Sequence, residues 1–143
     1  MKTVLNISIA IMVLVGFAAI STQAQTGGAQ KVVATIPFAF NVGKTTLPAG
    51  KYTVTVMNPT SDRKVLQIRK TNGRESAMVI TTDVAGNSSD DAKLVFHRYG
   101  DRYFFAQAQM RGDSTSLAAV RTRSEQKQAV ATTPKKIVVL AAG

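Results

Sequence analysis

"KVLQIRKTNGRESAMVI", Lys64 to Ile80, is the stretch whose reading decides the fold. Leu66 and Ile68 face one way and Gln67 and Arg69 the other, and Met78 and Ile80 share a side on the return. Apolar residues recurring at period two mark half-buried strands, not helix. Between the two runs stands Asn72-Gly73, a pair that tolerates the positive φ angles of a type I′ turn. The stretch predicts a β-hairpin.

The same rhythm appears on both sides of it. Upstream, "KVVATIPFAFNV" (31–42) places Val32, Ala34, Ile36, Phe38 and Phe40 on one face. Pro37 cannot donate to a ladder, which puts this strand at an edge or a bulge. "KYTVTVM" (51–57) sends Tyr52, Val54 and Val56 inward, and a turn region with Gly43, Pro48 and Gly50 makes the two runs a hairpin. Downstream, "KLVFHRY" (93–99) and "RYFFAQAQM" (102–110) meet at Gly100-Asp101. Leu94, Phe96 and Arg98 oppose Val95, His97 and Tyr99, so aromatics on both faces predict a hairpin buried on both sides near its middle. Six strands thus arrive as three successive hairpins.

After Met110 the composition favours a helix over about 115–131, with Leu117, Val120, Ala129 and Val130 as a thin apolar stripe, stopped by Pro134. "KKIVVLA" then predicts a last strand over about 136–141 that returns to bury Ile137, Val138, Val139 and Leu140. The expected fold is mainly β: a small antiparallel β-sandwich or partly open barrel of about seven strands with one C-terminal helix, in a single domain over 31–143.

The chain start reads as an export signal. Met1-Lys2, an apolar run from Val4 to Ile20 and Ser21-Thr22-Gln23-Ala24-Gln25 give the order of a signal peptide, 1–24, cut after Ala24. Residues 25–30 form a disordered lead. Cleavage leaves no integral membrane segment, and places the protein in the periplasm or outside the cell. With no cysteine, disulfides, thiol catalysis and cysteine metal sites are excluded. The formal charge of +10 falls to +9 with the loss of Lys2. At an exported location that charge either only keeps a small β-rich domain soluble or points to anionic polysaccharide or envelope polymers, not chromosomal DNA. The strands are too short for an outer-membrane barrel, whose strands need ~9 to 11 residues.

Among candidate sites, Arg63, Lys64, Arg69, Lys70 and Arg74 fall on the central hairpin, with Lys51 beside it, and can gather into a basic rim. Arg98 with Tyr99 and Tyr103 could present a guanidinium and aromatic platform. Arg98, Asp101 and Arg102 could instead pair across the turn. His97 is the only histidine. It cannot build a nucleophilic triad here; the favoured reading is a structural histidine hydrogen-bonded within the sheet, and the alternative is acid–base work with Asp101 or Asp83. Asp83, Asn87, Asp90 and Asp91 supply oxygen donors at a spacing that fits no calcium loop. Arg111-Gly112-Asp113 matches an adhesion tripeptide and equally makes a turn. Neither metal nor cofactor is expected. Phe38, Phe40, Phe96 and Phe105 either fill a core or line a cavity for an apolar ligand.

"IPFAFNVGKTTLPAGKYTV", "TNGRESAMVI" and "KLVFHRYGDRYF", in that order, resemble a family of small exported bacterial proteins frequent in soil acidobacteria. The resemblance covers Ile36 to about Phe105. It implies export and a compact β-rich domain, and nothing catalytic. The sequence therefore reads as an exported non-enzymatic β-domain that binds anionic envelope or extracellular polymers, with an apolar-ligand carrier and a small His97-dependent enzyme as rivals.

Overall fold

The computed structural model describes residues 30–87 and 90–142; the predicted signal peptide, 1–24, and most of the predicted lead lie outside them. Ten strands and one helix follow in order: β1 (Lys31–Ile36), β2 (Phe40–Val42), β3 (Thr45–Leu47), β4 (Gly50–Val56), β5 (Val65–Lys70), β6 (Ser76–Ala85), β7 (Ala92–Tyr99), β8 (Arg102–Gln109), β9 (Thr115–Ala119), α1 (Arg123–Ala131) and β10 (Lys135–Ala141). The fold is mainly β, as expected.

The three predicted hairpin pairings, β1–β4, β5–β6 and β7–β8, all form and are antiparallel. They join into one curled, open sheet running β1-β4-β5-β6-β9-β8, with β7 on the far edge of β8 and β10 beyond it. The two ends approach each other through a single bridge: Val33 and Ala142 exchange hydrogen bonds of 2.7 and 2.9 Å.

Inward residues of every strand meet in one core. Tyr52, Val54, Val56, Leu66, Leu94, Phe40 and Phe96 are fully buried. Phe96 is the hub of an aromatic cluster, edge to face with Phe38 at 5.1 Å, Phe40 at 5.3 Å and Phe105 at 5.8 Å between centroids. Such pairs add to the stabilisation from burial alone. The four rings proposed as the lining of a cavity therefore pack on one another.

Four expectations change. The run 31–42 is two strands, broken at Pro37, because the missing N–H ends the ladder. The second part, β2, leaves its neighbour and makes the one parallel contact among the described pairings, Asn41 to Phe104 of β8. The Asn72-Gly73 hairpin forms, but as a four-residue loop. Lys70 and Glu75 close it, and the Gly73 amide donates to the Lys70 carbonyl at 3.4 Å. Gly73 is not among the positive-φ glycines, so the turn is not type I′.

The helix begins at Arg123, not near 115. Residues 115–119 form β9, because the gap between β6 and β8 offers Leu117 a ladder on both sides and a buried seat, which outweighs helix propensity. Finally, β10 buries neither Val138 nor Leu140, which are 47% and 69% exposed; Ile137, Val139 and Ala141 pack against the core instead.

Candidate functional site

The residues singled out by sequence do not form one site. Arg63 and Lys64 stand before β5, while Arg69, Lys70 and Arg74 stand at its other end. Four residues of β5, Val65 to Ile68, separate Lys64 from Arg69, a distance along the strand of about 17 Å. Lys64 Nζ is engaged at 3.1 Å by Asp83, its charge met locally. Lys70 points the same way as Tyr52 and lies over Gly50, where an added Cβ would meet its Cε at 2.9 Å. Arg69 is exposed on the outer face, opposite Thr53 and Ser76. Arg74 sits in the exposed loop.

The aromatic platform forms only in part. Arg98 lies 5.5 Å from the Tyr103 ring centre, and its Nε donates to the Gly100 carbonyl at 2.7 Å, so it closes the turn without Asp101. Phe38 stacks on Tyr103 at 3.8 Å. Tyr99 is on the opposite face and buried.

His97 finds neither Asp101 nor Asp83. Its Nδ1 is 3.1 Å from Glu125 Oε1, which also accepts from the Tyr99 hydroxyl at 3.2 Å. Glu125 is 4% exposed and is the one buried residue of α1. A buried carboxylate costs stability unless it is hydrogen-bonded, and these two donors from β7 supply the bonds. Thr122 caps the helix by accepting from the Glu125 amide at 3.2 Å. Burial, and next the Glu125 charge, raise the Tyr99 pKa above its usual 10.0; Arg121 pulls the other way.

Two hollows flank this first turn. The smaller, about 210 Å³, is lined by His97, Gln107, Arg121 and Glu125 with three alanines. The larger, about 550 Å³, is lined by Lys44, Arg102 and Arg123, by Asn41, Thr46, Thr122 and Ser124, and by Gly43 and Phe104. No carboxylate lines it. A two-residue turn between β2 and β3, with Gly43 at φ 58°, sets Lys44 at its tip. Asn41 fixes that turn against β8 by donating to the Tyr103 carbonyl at 3.1 Å and accepting from Thr46 Oγ1 at 2.7 Å. Arg102 lies over Phe104 at 5.2 Å, and Arg123 opens α1. A third hollow, of about 330 Å³, sets Lys64 against both Asp83 and Asp113, so its charged lining is acidic on balance and not basic.

Lys44, Arg102 and Arg123 are far apart in sequence, and only the β2 crossover and the true helix start bring them together. The one local signal was Thr122-Arg123-Ser124-Glu125, a capping box that marks the helix start. The remaining motifs resolve into structure. Arg111-Gly112-Asp113 is a turn with Gly112 at φ 80°. Gln109 holds that turn by donating to the Asp113 and Asn87 carbonyls. No group of three potential metal ligands occurs among the described residues.

Comparisons with family models, with curated proteins and with solved structures find no match. No helix among the described residues is long and apolar enough to cross a membrane.

Proposed function

We propose that this chain is an exported, non-catalytic β-domain that binds an anionic polymer through the cleft formed by Lys44, Arg102 and Arg123. The observation that carries this reading is the sign of the cleft: three cations from three separate elements and no carboxylate in its lining. The hydroxyls of Thr46, Thr122 and Ser124 offer neutral hydrogen bonds, as a repeating polyol with acidic groups would require. Guanidinium groups suit carboxylate or phosphate by their forked geometry. The N-terminus of α1 adds a modest positive potential.

The test is co-sedimentation of Gln25–Gly143 with polygalacturonate across a salt series, with neutral dextran as control. Binding that falls steeply with salt, and drops at least tenfold in a K44E/R102E/R123E variant, supports the cleft. Equal binding by that variant, or none at low salt, removes it.

A second reading is favoured by the smaller hollow, where Glu125 holds the His97 ring beside Arg121. A carboxylate fixing Nδ1 is how an imidazole is oriented for acid–base work. Under that reading His97→Gln abolishes an activity without loss of folding. The proposal above expects no such activity.

A further inference from the structure

The outer face of the β1, β4, β5 and β6 sheet carries a feature that the cleft does not use. Met57 stands opposite Val65, Val65 opposite Ile80, and the Val120 amide donates to the Ile80 carbonyl. These four residues make one apolar row across the sheet, and Met78 adds to it from the next row, opposite Gln67. Met57, Met78, Ile80 and Val120 are 47, 58, 51 and 57% exposed. Isolated exposed apolar side chains are ordinary, but a continuous row of them marks a contact surface.

The charges around the row indicate what it contacts. Outward positions of these four strands supply Lys31, Lys51 and Arg69, all exposed, and no aspartate or glutamate. We infer that this face rests on an anionic lipid surface, with Met57, Met78, Ile80 and Val120 entering the boundary between headgroups and acyl chains. Lys31, Lys51 and Arg69 then meet the phosphates. Apolar insertion and cationic attraction reinforce each other at such a surface. A second copy of the chain fits less well, because a two-fold contact would set the same three cations against their own kind. The face shares no residue with the cleft, so either assignment can fail alone.

The experiment is flotation of Gln25–Gly143 with vesicles of equal phosphatidylglycerol and phosphatidylcholine, and with phosphatidylcholine alone. Every strand and the helix among the described residues lie within this span, and removing the apolar leader prevents its own insertion from being read as binding. Binding is expected to the anionic vesicles and to be at least tenfold weaker on the neutral ones. M78S/I80S leaves the net charge untouched and is expected to weaken anionic binding about tenfold. Each cation near an anionic leaflet is worth about a fivefold change in affinity, so K31Q/R69Q should cost more than tenfold. Undiminished binding by M78S/I80S overturns the assignment, as does absence of binding at low salt. So does sedimentation equilibrium that shows a wild-type dimer and a monomeric M78S/I80S chain, which would give the face to a second copy. Circular dichroism of each variant checks that the sheet is retained.

Discussion

The β5–β6 and β7–β8 hairpins have the same grammar and opposite surroundings. Both send one face into the common core. Beyond it, β5–β6 leaves Met78 and Ile80 bare, whereas the outer face of β7–β8 buries Val95, Tyr99, Phe104 and Ala106. One bulge and one helix separate the cases. The β7–β8 ladder slips between Val95 and Phe96, leaving Ala106 unpaired and turning Phe104 outward while Phe105 stays in the core. Helix α1 then meets that outer face through Glu125. The lesson is that α1 is fastened by a polar peg, not by an apolar stripe: Val130 is 91% exposed, and the one buried helical side chain is a carboxylate.

The sharpest way to break this comparison is to truncate the core beneath both hairpins. Phe96 is fully buried and touches three other rings. Phe96→Ala should cost about 3 to 5 kcal/mol of unfolding free energy, from lost burial and the cavity left behind. Ile80→Ala, on the bare outer face, should stay near 0.5 kcal/mol or below. Urea unfolding of the two variants checks the contrast. Comparable losses would mean that the outer row is covered in solution.

A smaller effect separates the helix from the sheet. Glu125→Ala removes the acceptor for His97 and Tyr99 and leaves both donors partly buried without it, at a cost of about 1 to 3 kcal/mol. Glu125→Gln retains an acceptor oxygen and should recover part of the loss. Amide exchange resolves where the damage falls: α1 should lose protection first while β5–β6 is unchanged. Uniform loss across the molecule would show that the peg supports the whole sheet and not one helix.

Much of this fold was legible because period-two alternation is a strong local signal. Tyr52, Val54 and Val56 were assigned inward from it, Leu66 and Ile68 to a shared face, and all five are buried. The two-sided burial of β7–β8 was legible from its aromatics. What escaped were features set by distant partners. Nothing near Leu117 announces a vacant ladder between β6 and β8, and Leu-Ala-Ala by itself favours helix. His97 was read with nearby or loop carboxylates, Asp101 and Asp83, because its partner Glu125 is 28 residues away. The candidate cleft failed for the same reason, since a charge cluster is visible in sequence only when its members are neighbours. The basic residues of the central hairpin were neighbours, and a strand's length divides them.

The smallest expected effect tests whether the Tyr99 side is as dry as it looks. Burial raises the pKa of both Tyr99 and Tyr52 above the ordinary 10.0, with Glu125 and Glu75 respectively as the next cause. Below pH 10 both states of the protein hold these protons, and stability carries no dependence on them. Above it the unfolded chain releases them first, so stability falls as pH rises, until the folded values are passed. Each tyrosine can contribute at most about 1.4 kcal/mol per pH unit in that window. Tyr99→Phe should flatten part of the decline while costing a hydrogen bond to Glu125 at neutral pH. Glu125→Gln should flatten less, because burial and not charge is the main cause. Urea midpoints measured from pH 8 upward, with tyrosinate absorbance read alongside, check this. A Tyr99 that ionises with the exposed phenols of the unfolded chain would place water between α1 and β7, and the contrast between the two hairpins would then be one of degree.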